Sequence, residues 1–329
     1  MKTRRQWLQF GIAAGGAALL GSPAWAQEKY PSRPIRMIAP HPPGGGVDIL
    51  ARAMAEGMSG VLGQPIVVEN RPGANGTIGA AAGAAAAPDG YTIMMNGPGE
   101  IAIAPHLYKQ MVYDPFKDLA PITLCSKAPN VLVVGINSPL RSVVEIIAAA
   151  RAKPGELTFG SSGVGNIQHL EGELFNKYAG VKTVHVPYKG AAPQIADIVG
   201  GQITMGYMSV AAAMPLIKGG RLRPIAVTSK VRVPALPDVP TLAETPVLSA
   251  YELDNWFGLF APAAIPKPIL ATLNGAAVRV LGTPEMQAKI IEGGAIPAPG
   301  TPEAFTAFIA AQSQIYAQII KEVGITADS

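Results

Sequence analysis

The stretch Ile35-Arg36-Met37-Ile38-Ala39-Pro40-His41-Pro42-Pro43-Gly44-Gly45-Gly46-Val47-Asp48 decides how this chain folds. A short apolar run leads into prolines and three glycines, and a helical pattern opens behind them at Ile49, Leu50, Ala53 and Met54. Glycine at such a junction lets the backbone turn tightly and lets a ligand reach bare N–H groups. The first N–H groups of a helix have no internal partner and carry the positive end of its dipole, which suits an anion. A second turn of the same kind follows the run Leu157-Thr158-Phe159-Gly160. It reads Ser161-Ser162-Gly163-Val164-Gly165 and opens a helix through Leu170 and Phe175. Two such grips, far apart in sequence, predict two lobes closing on one small anion.

Strand-like and helical runs alternate around these turns. Extended runs at 36–39, 65–69 and 91–95 are separated by helical patterns at 49–58 and 78–87. A long extended run over 121–135 then leaves the first set. In the second set, helices are expected at 142–152, 167–178, 192–199 and 211–218, between strands at 157–159, 184–186, 203–207 and 224–228. Pro234, Pro237, Pro240 and Pro246 mark a return connection. A strand at 255–261 and two amphipathic helices, 269–281 and 302–323, are expected to pack back on the first lobe. The alternation predicts an α/β protein in which each lobe is a mostly parallel sheet flanked by helices. Lobe 1 is expected to hold residues 27–126 and 250–329, and lobe 2 residues 127–249, with two crossover segments. Ligands in such sheets bind beyond the C-terminal ends of the strands. Both glycine turns fall there, as does Asn96-Gly97-Pro98-Gly99.

Residues 1–26 read as an export leader. Met1-Lys2-Thr3-Arg4-Arg5 is basic, residues 8–20 are apolar, and Ala24-Trp25-Ala26 is a small-x-small cleavage site. Thr3-Arg4-Arg5-Gln6-Trp7-Leu8 is twin-arginine-like, and an ordinary Sec signal with a chance Arg pair would export the chain as well. Cleavage after Ala26 would place the mature chain in the periplasm. Lys2, Arg4 and Arg5 leave with the leader, which sets 23 basic residues against 22 acidic ones, a balance of +1. No basic stripe with interleaved aromatics remains, so nucleic acid is not an expected partner. After residue 26 no apolar run is long enough to span a bilayer. The lone Cys125 reads as a small core residue.

Enzyme signatures fail. The chain has no GxxxxGK followed by Ser or Thr, and Gln168 stands where a dinucleotide fingerprint begun at Gly163 and Gly165 needs its third glycine. Ser162 is no nucleophile elbow, because Val164 replaces the required glycine. His41, His106, His169 and His185 show no metal spacing. No catalytic residue, metal or cofactor is expected. His41 reads equally well as a ligand contact and as loop filling, and Asp48 as a loop-bracing carboxyl in the first helical turn. Ser161 and Ser162 either donate to a ligand or cap the following helix, and the matching turn in the other lobe favours contact.

At these residues the chain resembles the periplasmic solute receptors of tripartite tricarboxylate transporters, the Bug-type receptors. The resemblance rests on Pro42-Pro43-Gly44-Gly45 with Asp48, Val68-Glu69-Asn70-Arg71-Pro72-Gly73-Ala74, Pro88-Asp89-Gly90-Tyr91-Thr92 and Ser161-Ser162-Gly163-Val164-Gly165 with His169. Val186-Pro187-Tyr188-Lys189-Gly190 and Trp256-Phe257-Gly258-Leu259-Phe260-Ala261-Pro262 extend it over nearly the whole mature chain. It implies a two-lobe type II periplasmic binding protein that captures a small carboxylate and delivers it to a membrane permease. It also implies that backbone N–H groups and bridging waters hold the carboxylate. The candidate contacts are then His41, Pro43, Gly44, Gly45, Gly46, Val47 and Asp48, with Asn96, and across the cleft Ser161, Ser162, Gly163, Tyr188 and Met208. Met208 stands where many relatives carry an acid. With Met205 it is expected to form an adaptable apolar wall, favouring an acid with an apolar body over an amino acid or a citrate-like ligand. The competing readings are an exported α/β enzyme acting on an organic acid and a ligand-dependent sensor partner.

Overall fold

The computed structural model describes residues 30–326, so the expected leader and its cleavage site lie outside the described residues. The first set of elements is β1 (Ile35–Ala39), α1 (Gly46–Leu62), β2 (Ile66–Asn70), α2 (Thr77–Ala84), β3 (Thr92–Asn96), α3 (Ala104–Leu107) and β4 (Leu119–Lys127). The second is β5 (Asn130–Gly135), α4 (Val143–Ala152), β6 (Thr158–Ser161), α5 (Ile167–Ala179), β7 (Val184–Pro187), α6 (Ala191–Gly200), β8 (Met205–Ser209), α7 (Val210–Lys218) and β9 (Leu222–Val227). The chain ends in β10 (Trp256–Pro262), α8 (Lys267–Leu281), α9 (Pro284–Glu292), β11 (Ile296–Pro297) and α10 (Pro302–Val323).

Two sheets result, in the orders β11-β4-β10-β3-β1-β2 and β7-β6-β8-β5-β9. The α/β two-lobe expectation stands, but the sheets are mixed rather than mostly parallel. Strands joined by helices, β1 with β2 and β3, and β6 with β7 and β8, pair in parallel. The strands that carry the chain between sheets pair antiparallel: β10 with β3 and β4, and β5 with β8 and β9. A parallel neighbour needs a return crossover, and a strand arriving directly from the other sheet has none.

The long extended run expected over 121–135 breaks at Ala128-Pro129 into β4 and β5, one in each sheet. Pro129 has no N–H for a ladder. The Ala128 N–H donates instead to the Asn255 carbonyl on the returning segment at 2.7 Å. Thr228, just beyond β9, donates its N–H to the Asn130 carbonyl at 2.9 Å and accepts the Asn130 N–H on its hydroxyl at 3.0 Å. The two crossings are thus bonded to each other. The C-terminal part adds a third helix, α9, to the two that amphipathicity predicted, capped by the Thr283 hydroxyl on the Met286 N–H. Helix α10 lies against β4, with Phe305 seated where a Cβ on Gly258 would come within 2.1 Å of its ring. It also reaches the other lobe, where Lys177 of α5 donates to the Glu322 carbonyl at 2.9 Å.

A buried carboxyl ties the crossings to α5. Glu171 is fully buried, and the Asn130 amide nitrogen lies 3.0 Å from each of its oxygens. The Tyr251 hydroxyl donates to its backbone carbonyl at 3.0 Å. Burial pushes the Glu171 carboxyl well above its ordinary range, against the opposing hydrogen bonds of Asn130 and Thr228. A neutral amide of the same shape should therefore substitute well. Glu171→Gln is expected to cost less than about 1 kcal/mol of stability, and Glu171→Ala, which strands the Asn130 amide and leaves a void, about 2–4 kcal/mol, as read by urea denaturation.

Candidate ligand-binding cleft

Helix α1 starts where β1 ends. Its N-cap, Gly45, has no side chain to satisfy the helix. Among the described residues no acceptor meets the N–H groups of Gly46, Val47 and Asp48. The turn ahead of them is held from inside. Asp48 accepts the Gly44 N–H at 3.0 Å, the Asn70 amide at 2.9 Å and Arg52 at 2.9 Å, while the Asn70 amide also donates to the His41 carbonyl at 3.0 Å. Burial alone would raise the Asp48 carboxyl, but these bonds outweigh it and hold the group below its ordinary value. Gly44 sits at φ +86°, a conformation that glycine alone adopts at little cost.

The matching turn in the second lobe spends most of its amides on itself. Ser162 donates its N–H to Gln168 at 2.7 Å, Gly163 to the Ser161 hydroxyl at 3.3 Å and Gly165 to the His169 ring at 3.2 Å. Asn166 caps α5 through the His169 N–H at 2.9 Å, which leaves the N–H groups of Ile167 and Gln168 without an acceptor among the described residues. Helix α6 begins behind Gly190 with no side-chain cap, and Ser209 caps α7.

These helix starts border one cleft. Gly46 and Val47 of α1, Ile167 and Gln168 of α5, Ala191 of α6 and Ser209 at the head of α7 all line it, with His41, Ser162 and Phe257. No Lys or Arg lines it among the described residues. The lobes touch at its rim. A Cβ on Gly46 would stand 3.1 Å from the Ser209 Cβ of the other lobe, besides 3.0 Å from the Phe257 ring of its own, and one on Gly190 would stand 2.9 Å from the Pro42 ring across the cleft. Each helix start contributes about 0.3–2 kcal/mol to a nearby anion, so four together can offset the missing cationic side chain.

A model of the tripartite tricarboxylate transporter family receptor matches residues 50–325. The chain belongs to this receptor family. BugT of Bordetella pertussis is 35% identical over 298 residues, 90% of this chain and 91% of BugT. The solved structure of Rhodopseudomonas palustris Rpa4515 with adipate superposes with a TM-score of 0.88 at 36% identity, over 90% of this chain and 99% of that one. MatC from the same organism, solved with bound malate, superposes with a TM-score of 0.82 at 28% identity, over 88% of this chain and 100% of that one.

Of the sequence-predicted contacts in this receptor, His41, Gly45, Gly46, Val47 and Ser162 line the cleft. Others have different work. Pro43 and Gly44 shape the turn, and Asp48 braces it from behind. Ser161 is buried and donates to the Gly163 carbonyl at 2.9 Å. The Tyr188 hydroxyl donates to Asp197 at 2.7 Å. Asn96 is fully buried, with neither amide atom hydrogen-bonded among the described residues.

The expected methionine wall requires correction. Met208 packs among Val131, Val133 and Val210, and Met205 among Phe159 and Tyr207, each fully buried away from the cleft. The strand expected at 203–207 lies two residues later, at Met205–Ser209, and Ser209 at its end stands at the cleft. Sequence reasoning also missed Glu100 and Asn75. Glu100 follows β3 in a π-turn, Gly99–Ile103, and its carboxyl accepts the Gly97 N–H at 2.7 Å while lying 3.4 Å from the His41 Nε2. Asn75 adopts φ +51° between glycines, a local sign that could have marked it.

Behind the second turn, the rings of His169 and His185 stack at 3.8 Å, and His185 Nε2 lies 2.6 Å from the Ser161 hydroxyl. Burial, and for His169 also the neighbouring ring, lowers these groups to about 3 and about 4. Unfolded histidines protonate near 6.5, so below that pH the unfolded chain binds more protons and stability falls. Thermal unfolding is expected to show Tm dropping from pH 6.5 towards pH 4, at up to about 1.4 kcal/mol per pH unit for each ring, with a shallower drop in His185→Phe.

Proposed function

We propose that this chain is an extracytoplasmic receptor that captures a small carboxylate between its lobes and delivers it to a tripartite tricarboxylate-type membrane permease. The observation that carries this reading is the convergence of four helix starts on one cleft without a Lys or Arg. Such a site suits an anion held by backbone donors, which are fixed in direction and strengthen as water is expelled. Receptors of this fold at 36% and 28% identity were solved with adipate and malate. Among the described residues no helix is long and apolar enough to cross a membrane. On this reading residues 1–26 are the leader that sends the chain to the periplasm.

Lobe 1 (27–126 with 250–329) and lobe 2 (127–249) move as units about the paired crossings near 128–130 and 228–255. A ligand bridging His41, Gly45, Gly46 and Val47 to Ser162 stabilises the closed state by as much as it prefers that state. The enzyme alternative gains little from the Ser161–His185 contact. Ser161 is buried outside the cleft and already donates to the Gly163 carbonyl.

A thermal-shift screen across organic acids tests capture, since a ligand at 100 times its Kd adds about 2.7 kcal/mol to the native state. Gly46→Val is the mutational test, because its side chain would meet Ser209 across the cleft and obstruct closure, while the Phe257 ring of its own lobe gives way. The ligand-free variant is expected to melt within a few degrees of the parent and to lose at least about tenfold in carboxylate affinity, or about 1.4 kcal/mol. Unchanged affinity by calorimetry would count against this cleft as the site.

A further inference from the structure

The cleft is not uniformly suited to negative charge. Glu100 is 1% exposed and borders the same cavity as the helix starts. One of its oxygens takes the Gly97 N–H and the other lies beside His41, yet a carboxyl has about four acceptor sites, so about two remain. Asn75 lines the same cavity. A Cβ on Gly99 would lie 3.1 Å from Asn75 Nδ2, and one on Gly163 would lie 3.8 Å from Asn75 Oδ1, which puts this amide between the lobes. Both polar atoms of Asn75 are buried and without a hydrogen-bond partner among the described residues. A buried amide left unpaired costs about 1–3 kcal/mol, so a ligand group that pairs it gains that much selectivity.

We propose that Glu100 and Asn75 set specificity in this cleft for a monocarboxylate that also carries a hydrogen-bond donor, a hydroxyl or an ammonium group. The inference rests on the carboxylate-receptor reading above. The ligand carboxylate takes the free helix N–H groups, and the donor is accepted by Glu100 and Asn75 Oδ1. A second carboxylate in the same cavity meets Glu100 and finds no Lys or Arg to neutralise it. The displaced methionines remove the argument for an apolar ligand body, since neither Met205 nor Met208 reaches the cleft.

Calorimetry on the full mature protein decides the matter with two matched sets: butyrate, 2-hydroxybutyrate, 4-hydroxybutyrate, 4-aminobutyrate and succinate; and hexanoate, 6-hydroxyhexanoate, 6-aminohexanoate and adipate. At least one hydroxy or amino acid is expected to bind about tenfold or more tightly than both the unsubstituted acid and the dicarboxylate of its length. Glu100→Gln is expected to shrink that preference to less than about threefold, and Asn75→Ala to weaken the donor-bearing acid selectively. Tightest binding of succinate or adipate by the wild type would overturn the proposal while leaving the receptor reading intact. An unchanged preference in a folded Glu100→Gln variant would overturn it too, because a merely structural Glu100 would not alter the ranking. Absence of binding by any acid would sink both readings. If Glu100→Gln does not fold, the wild-type ranking and Asn75→Ala decide alone.

Discussion

Unsatisfied N–H groups at the starts of helices from both lobes, held face to face, are the constraint from which the rest of the architecture follows. They meet because parallel strand–helix units place every helix start at the same edge of a sheet, and the two sheets turn those edges towards each other. Gly45 and Gly190 leave α1 and α6 uncapped at that edge. A side-chain cap there, like Asn166 on α5 and Ser209 on α7, would satisfy one donor internally and leave fewer for an anion. Glu100 is the counterweight. It puts a carboxyl in the same cavity and divides the cleft into groups that favour an anion and groups that favour a donor.

The two sheets are tied together on the side where the chain crosses. There the crossings bond to each other through Ala128, Asn130, Thr228 and Asn255, and Glu171 binds them to α5. Helix α10 adds a strap from the first lobe to α5. Anchorage at the back and mere contact at the front, Pro42 on Gly190 and Gly46 on Ser209, is the arrangement expected of hinged closure.

Many residues in the two glycine turns serve the turns themselves. Asp48 turns inwards to hold Gly44, Asn70 holds His41, Gln168 holds Ser162, and the stacked imidazoles support Ser161 and Gly165. This fixes the direction of the remaining amides before any ligand arrives, so little ordering entropy is lost on binding. It also explains why a motif can be long while only part of it borders the cleft.

The strand–glycine turn–helix units, the two-set organisation and the pairing of the two turns were legible in the sequence, because each is written in local chemistry: apolar runs, glycine and proline positions, and helical periodicity. Asp48 was readable as a brace for the same reason, since an acid in a first helical turn answers the helix itself. What only the tertiary structure decided were matters of direction and long-range pairing. A shift of β8 by two residues, to Met205–Ser209, put Ser209 rather than a methionine at the cleft. The split of 121–135 depended on partners far along the chain, β10 for β4 and β9 for β5. Glu100 and Asn75 became cleft groups only when a π-turn and a left-handed residue met beneath His41. Spacing along a chain fixes which residues share an element. Which cavity a side chain enters is set by how separate elements pack.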